Sequence, residues 1–132
     1  MSLHQSGEDY LEAILVLSEK KKNGVVHSID VAQHMGYSKP SVSRAVSLLK
    51  GEGYLTMEKD GRLELTETGV EVAREIYERH SFLKQWLIHL GVPSEIAEED
   101  ACKIEHNISD ETFRCLKHHA ESRSEFQAEK LK

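Results

Sequence analysis

The sequence predicts a mainly α-helical fold with one small β-hairpin, and three observations carry that reading. Apolar residues recur at helical spacing in six separate segments, each bounded by capping or breaking residues. Two short β-prone runs, Tyr54 to Met57 and Leu63 to Leu65, flank the turn-forming pair Asp60-Gly61. The 132 residues, 39% of them apolar and 30% charged, suffice for a buried core, in one unit or two small lobes.

The elements follow in order. Leu11, Ile14, Leu15 and Leu17 make a helical stripe from about Gly7 to Lys22, closed by three lysines and Asn23-Gly24. Ser28 is expected to cap a short helix containing Ile29, Val31, Ala32 and Met35, which Gly36 ends. A third helix begins at Ser38, with Pro40 in its first turn, where a missing N–H does little harm, and Val42, Ala45, Val46 and Leu49 on its inner face. Three helices and then a hairpin within the first 65 residues describe a winged helix-turn-helix. Residues 1–65 are therefore assigned to it.

Thr66 opens a long helix in which Ala73, Ile76, Tyr77, Leu83, Leu87 and Leu90 mark one face down to Gly91. Phe82, Trp86 and Ile88 spread apolar character to a second side, which in a chain this small points to a partner subunit. Pro93-Ser94 opens the next helix and Ser109-Asp110 the last, with Phe113 and Leu116 facing inward. Residues 66–132 are thus read as an all-helical dimerisation domain whose last dozen or so residues fray, and the whole as a homodimer joined through residues 67–119.

The formal net charge of −6 argues against indiscriminate binding to nucleic acid. The acid is unevenly placed, however. Residues 1–65 hold eight basic against nine acidic side chains, and residues 66–132 nine against fourteen. Between Ser38 and Lys50 there are three basic residues and no acidic one. The third helix is therefore the expected recognition helix for a major groove. Its candidate contacts are Ser38, Lys39, Pro40, Ser41, Ser43, Arg44 and Lys50, with Lys59 and Arg62 added from the hairpin. Two such helices in a dimer would address a pseudo-palindromic double-stranded operator. No apolar run approaches the roughly 20 residues of a membrane span, and Met1 to Gly7 lacks a basic start and apolar core, so no membrane partner and a cytoplasmic location are expected. Two cysteines, Cys102 and Cys115, do not form a disulfide framework.

One cluster carries chemistry. Cys102, Glu105 and His106 are spaced i, i+3 and i+4, which places a thiol, a carboxylate and an imidazole within about one quadrant of a helix. Asp9 and Glu12, also three apart, offer two carboxylates from the first helix. Each segment is half of a metal site.

The winged helix-turn-helix, the helix holding His80 and the run from Asp100 to Glu111 together resemble the metal-dependent repressors of the diphtheria toxin repressor and manganese transport regulator family. The most specific matches are Glu8-Asp9-Tyr10, Ser38-Lys39-Pro40-Ser41-Val42-Ser43, and Cys-x-x-Glu-His followed by Ser-Asp-Glu. They lie within roughly residues 7 to 120. The resemblance implies a repressor of metal-homeostasis genes whose operator binding is licensed by a divalent ion between its two lobes. It implies the ligands Asp9, Glu12, His80, Glu105 and His106, with Cys102 where the manganese branch has a carboxylate. The iron branch has Cys there but Met in place of Asp9, so the site is a hybrid. Lys84 and Glu98 occupy two positions of that branch's accessory site, and no SH3-like domain follows, which favours the short manganese-type form.

Three carboxylates suit Mn2+ or Fe2+, and the thiol also accepts Zn2+ or Co2+, so Mn2+ or Fe2+ is the expected cofactor, with Zn2+ or Co2+ binding in vitro. The competing readings are a winged-helix module used for protein contacts and a winged-helix regulator responding to a small organic ligand or to none. A metallohydrolase with Glu105 as general base is disfavoured, because there is no Gly-rich phosphate cradle or other oxyanion-binding loop; the chain is not expected to be an enzyme.

Overall fold

The computed structural model describes residues 5–122. Among them are six helices and three strands, in the order α1 (Gln5–Lys20), β1 (Val26–His27), α2 (Ser28–Met35), α3 (Lys39–Gly51), β2 (Leu55–Met57), β3 (Arg62–Leu65), α4 (Glu67–His89), α5 (Ser94–Glu105) and α6 (Asp110–Glu121). No helix among the described residues is long and apolar enough to cross a membrane. The expected fraying of the final residues falls, from residue 123 onward, outside the described part. The chain divides into two compact units after Arg74, so the first two turns of α4 belong with the first unit, where Ala73 is fully buried.

The first unit packs α1, α2 and α3 against a three-stranded sheet of order β1-β3-β2. Leu11, Ile14, Val31, Val42, Val46, Leu49, Leu55 and Val26 form its centre, each fully buried side chain of this kind contributing about 1.5–3 kcal/mol. Ser38 caps α3 by accepting from Ser41 N at 3.3 Å, and Pro40 occupies the first turn. At the start of α2 the structure differs from the sequence expectation. The cap is His27, not Ser28, because Asp30 Oδ2 turns back to accept from His27 N at 2.8 Å and also binds Lys21 Nζ at 2.9 Å. His27 is also part of β1, a strand too short to show a period of two, which pairs Val26 with Leu63 and His27 with Arg62. Gly36 ends α2 at φ 73°, a left-handed conformation that favours glycine, and donates to Ala32 O at 2.9 Å.

The second unit has a small core of Phe82, Leu83, Ala101 and Ala120, flanked by Trp86, Ile104 and Phe113. Phe82 stacks on Trp86 with centroids 6.0 Å apart and meets Phe113 edge-on at 5.6 Å. The sequence reading assigned Phe82 to an outward second face and Leu90 to the inner one. Phe82 is instead consumed by the subunit's own core and Leu90 is exposed, together with Ile88 and Ile96. On α5, Ala97, Ala101 and Glu105 make one buried stripe at four-residue intervals.

Arg79 ties this unit together. Only 8% exposed, it donates from Nη1 to the carbonyls of Glu105 (2.8 Å) and Ile108 (3.0 Å), and from Nη2 to Asp110 Oδ1. Its guanidinium carbon lies 5.2 Å from the Phe113 ring centroid. One α4 side chain thereby fixes the end of α5, the connecting turn and the start of α6.

Two stability predictions follow from close contacts. Alanine normally stabilises a helix over glycine, but a Cβ at Gly69 would overlap the Tyr54 carbonyl. Gly69→Ala should therefore lower stability, by about 1–3 kcal/mol, and a raised chemical-denaturation midpoint would refute the overlap. Arg79→Met leaves two carbonyls without their donor, and should cost about 2–4 kcal/mol in the same assay on metal-free protein. An unchanged midpoint would show that water replaces the guanidinium.

Candidate metal centre and DNA-binding face

The buried stripe of α5 ends on a carboxylate. Glu105 has 0% exposure, His106 follows as the C-cap with αR backbone (φ −93°, ψ −9°), and Cys102 is half-buried one turn earlier. Because the cap residue stays near helical geometry, His106 extends the helical spacing by one position. Donor atoms of Cys102, Glu105 and His106 all lie within 4.8 Å of one another.

The two oxygens of Glu105 are treated differently. Oε2 is 2.9 Å from His80 Nδ1. Oε1 is buried and accepts no hydrogen bond, although His106 Nε2 lies 3.2 Å away without the alignment of one. An oxygen left this way costs about 1–3 kcal/mol, and sulfur, oxygen and nitrogen donors converge beside it. That donor set fits a divalent transition ion.

Behind Glu105 runs a chain of contacts that the sequence reading did not assemble. His80 Nε2 is 2.7 Å from Glu98 Oε2, and Lys84 Nζ is 2.9 Å from Glu98 Oε1. Burial, the largest single influence on Glu98, pushes its carboxyl up. The Lys84 hydrogen bond and the nearby His80 outweigh it, leaving the carboxyl below its usual range. His80 and Lys84 are four apart on α4, a spacing visible in the sequence; that Glu98 of α5 reaches both is not.

The other two candidate ligands, Asp9 and Glu12, are in the first unit, three residues apart on α1 and each half-buried. Tyr10, between them, is buried and meets the exposed Tyr37 edge-on with centroids 5.9 Å apart. Burial pushes the Tyr10 hydroxyl up and the neighbouring Tyr37 adds to it, while Arg44 opposes both. These residues line one side of an open cleft of about 590 Å³ that Ser38, Ser41 and Leu48 continue.

Of the expected DNA contacts, Ser38, Lys39, Pro40, Ser43, Arg44, Lys50 and Lys59 are exposed, and Ser41 and Arg62 are half-buried. The Ser38 and Ser41 hydroxyls bond each other at 2.9 Å, so they rigidify the helix start as well as facing outward. Arg44 Nη2 lies 3.5 Å from Ser41 Oγ, and Arg62 Nε pairs with Asp60 at 3.1 Å across the hairpin turn.

Comparison with known proteins agrees with this division of labour. Residues 2–63 match the family described as iron dependent repressor, N-terminal DNA binding domain. Residues 66–125 match the iron dependent repressor, metal binding and dimerisation domain. An uncharacterized HTH-type transcriptional regulator of Methanocaldococcus jannaschii is 34% identical over 116 residues, covering 87% of this chain and 92% of the relative. The transcriptional regulator MntR of Escherichia coli is 35% identical over 106 residues, covering 80% of this chain and 67% of the relative. The solved manganese regulator SloR superimposes with a TM-score of 0.73 at 28% identity, covering 90% of this chain but 54% of that longer one. The chain therefore belongs to the iron-dependent repressor family, metal-dependent transcriptional repressors that join an N-terminal DNA-binding domain to a metal-binding and dimerisation domain.

Proposed function

We propose that this protein is a homodimeric repressor that binds a pseudo-palindromic duplex operator when Mn2+ or Fe2+ is held by Cys102, Glu105 and His106, with Asp9 and Glu12 of α1 completing the donor set. The observation that carries the reading is Glu105, fully buried with one oxygen accepting no hydrogen bond and with thiol and imidazole donors beside it. Three carboxylates favour Mn2+ or Fe2+, and the thiol widens tolerance toward Zn2+ and Co2+. Mn2+ is the first choice between the two, in keeping with the manganese regulator whose fold the chain shares. Its location is proposed as cytoplasmic, where a DNA-binding regulator meets its operator.

Held by these residues, a divalent cation would supply positive charge that offsets their carboxylates and thiolate. Asp9 and Glu12, as ligands, would hold α1 in a restricted orientation. Tyr10, adjacent to Asp9, packs on Tyr37, which immediately precedes the Ser38 cap of the recognition helix. Leu11 and Ile14 pack in the same core as Val42 and Val46 of α3. Restricting α1 therefore restricts the groove-facing helix and lowers the ordering cost of docking. Lys39, Lys50 and Lys59 serve phosphates, and Arg44 a guanine edge or phosphate. Metal and DNA affinities must rise together by the same factor.

Glu105→Gln and His106→Ala should each abolish metal-stimulated operator binding while leaving a folded dimer, as read by fluorescence anisotropy across buffered Mn2+, Fe2+ and Zn2+ under anaerobic conditions. Stimulation that survived both would move the sensor elsewhere. Arg44→Ala should weaken operator binding by about 1–3 kcal/mol if the guanidinium reads a base, and an unaltered isotherm would remove it from the contact surface.

A further inference from the structure

The last helix carries a set of soft donors that the centre at Glu105 does not use. α6 is packed along one face, where Ala120 is buried, Phe113 lies against the core of the second unit, and Leu116 and Lys117 are half-buried. At about 100° per residue, Cys115 falls on the side away from that face, with His118 and His119 to its left and right within about 100° of arc. All three are exposed, and Cys115 is a free thiol. Glu111, also exposed, stands one turn before Cys115 and adds negative charge to the same side.

The run from Cys115 to His119 repeats the spacing of the run from Cys102 to His106, with an imidazole in place of the carboxylate. In the α5 run that spacing brings three donors within 4.8 Å of one another, even though the third belongs to the helix cap. Cys115, His118 and His119 all lie inside α6, so their backbone spacing is regular throughout. Being exposed, their side chains can reorient about χ1 and χ2 to meet an ion without disturbing the packed face.

We propose that Cys115, His118 and His119 form a second metal site on the outer face of α6, selective for Zn2+ and similar thiophilic ions, with the fourth position left to water. One thiolate and two imidazoles are donors that Zn2+ takes in four-coordinate sites, whereas Mn2+ prefers oxygen, which these three side chains do not offer. Binding displaces the thiol proton, so each ion taken up releases one H+. The site stands apart from the carboxylate-rich centre at Glu105, and the two sort ions by chemistry, the harder ones to α5 and the softer ones to α6.

Anaerobic Co2+ titration of the full chain carrying Cys102→Ala tests this, because Cys115 is then the one thiol left. A thiolate-to-cobalt charge-transfer band should develop and should vanish when Cys115→Ser is added. Zn2+ should displace the Co2+ and remove the band, and an excess of Mn2+ should leave it in place. His118→Ala and His119→Ala should each weaken Co2+ binding by at least about tenfold, the smallest loss expected when a metal site is deprived of a partner. Cys115, His118 and His119 are exposed, so substituting them leaves the fold intact. Absence of the band in the Cys102→Ala protein overturns the proposal, as does a band that Mn2+ removes as readily as Zn2+. Undiminished affinity in either histidine variant also overturns it, since the thiol would then be binding without that imidazole.

Discussion

A carboxylate buried to zero exposure is the constraint around which the second unit is organised. Such a group costs several kcal/mol unless its oxygens find partners, so whatever surrounds Glu105 must be held accurately. Two consecutive residues of α4 do this at two levels. Arg79 binds the Glu105 backbone carbonyl and His80 binds its side chain. Ala97 and Ala101 on the same α5 stripe are fully buried, small enough to let that helix pack closely along its length. Phe113 lies against the Arg79 guanidinium and Phe82 against Phe113, so aromatic packing backs the polar grip. The donor atoms of Cys102 and His106 inherit their positions from this arrangement.

Much of the architecture was legible because it depends on local rules. Ser38 and Ser109 cap α3 and α6 through hydrogen bonds to the third residue on, which is the pattern a reader of the sequence looks for. The Asp60-Gly61 turn and the Cys-x-x-Glu-His spacing are equally local. What escaped reading depends on distant partners. Two residues of β1 carry no periodicity and become a strand only because Leu63 and Arg62 stand opposite. His27 displaced Ser28 as a cap because Asp30, held by Lys21, faces its amide. Phe82 was read as an interface residue since its place on α4 departs from the main stripe. α6, through Phe113, supplies the neighbour that buries it. The row from Lys84 to Glu105 needs α4 and α5 in register, which spacing within either helix does not reveal.

In the first unit, two residues proposed above for different roles have neighbours in contact. Along the chain, Asp9 and Ser38 are far apart. In the fold, one edge-on aromatic contact between their neighbours Tyr10 and Tyr37 joins the second turn of α1 to the segment before α3. The start of α3 is itself stiffened by its own polar residues, since the Ser38 cap, the Ser38–Ser41 hydroxyl pair and Pro40 all restrict its first turn. A segment preorganised in this way loses less conformational freedom on docking against a partner. Arg44 shares the cleft wall with Tyr10, so it borders both the aromatic contact and the exposed face.

The sheet of the first unit has a further property rooted in its strand lengths. Its central strand, β3, is flanked by strands of only two and three residues. Unpaired peptide groups at a sheet margin recruit extended segments from other molecules, and short outer strands leave few of them to offer. The hairpin can therefore stay exposed, even where copies of the chain are crowded together, without seeding intermolecular β-ribbon growth.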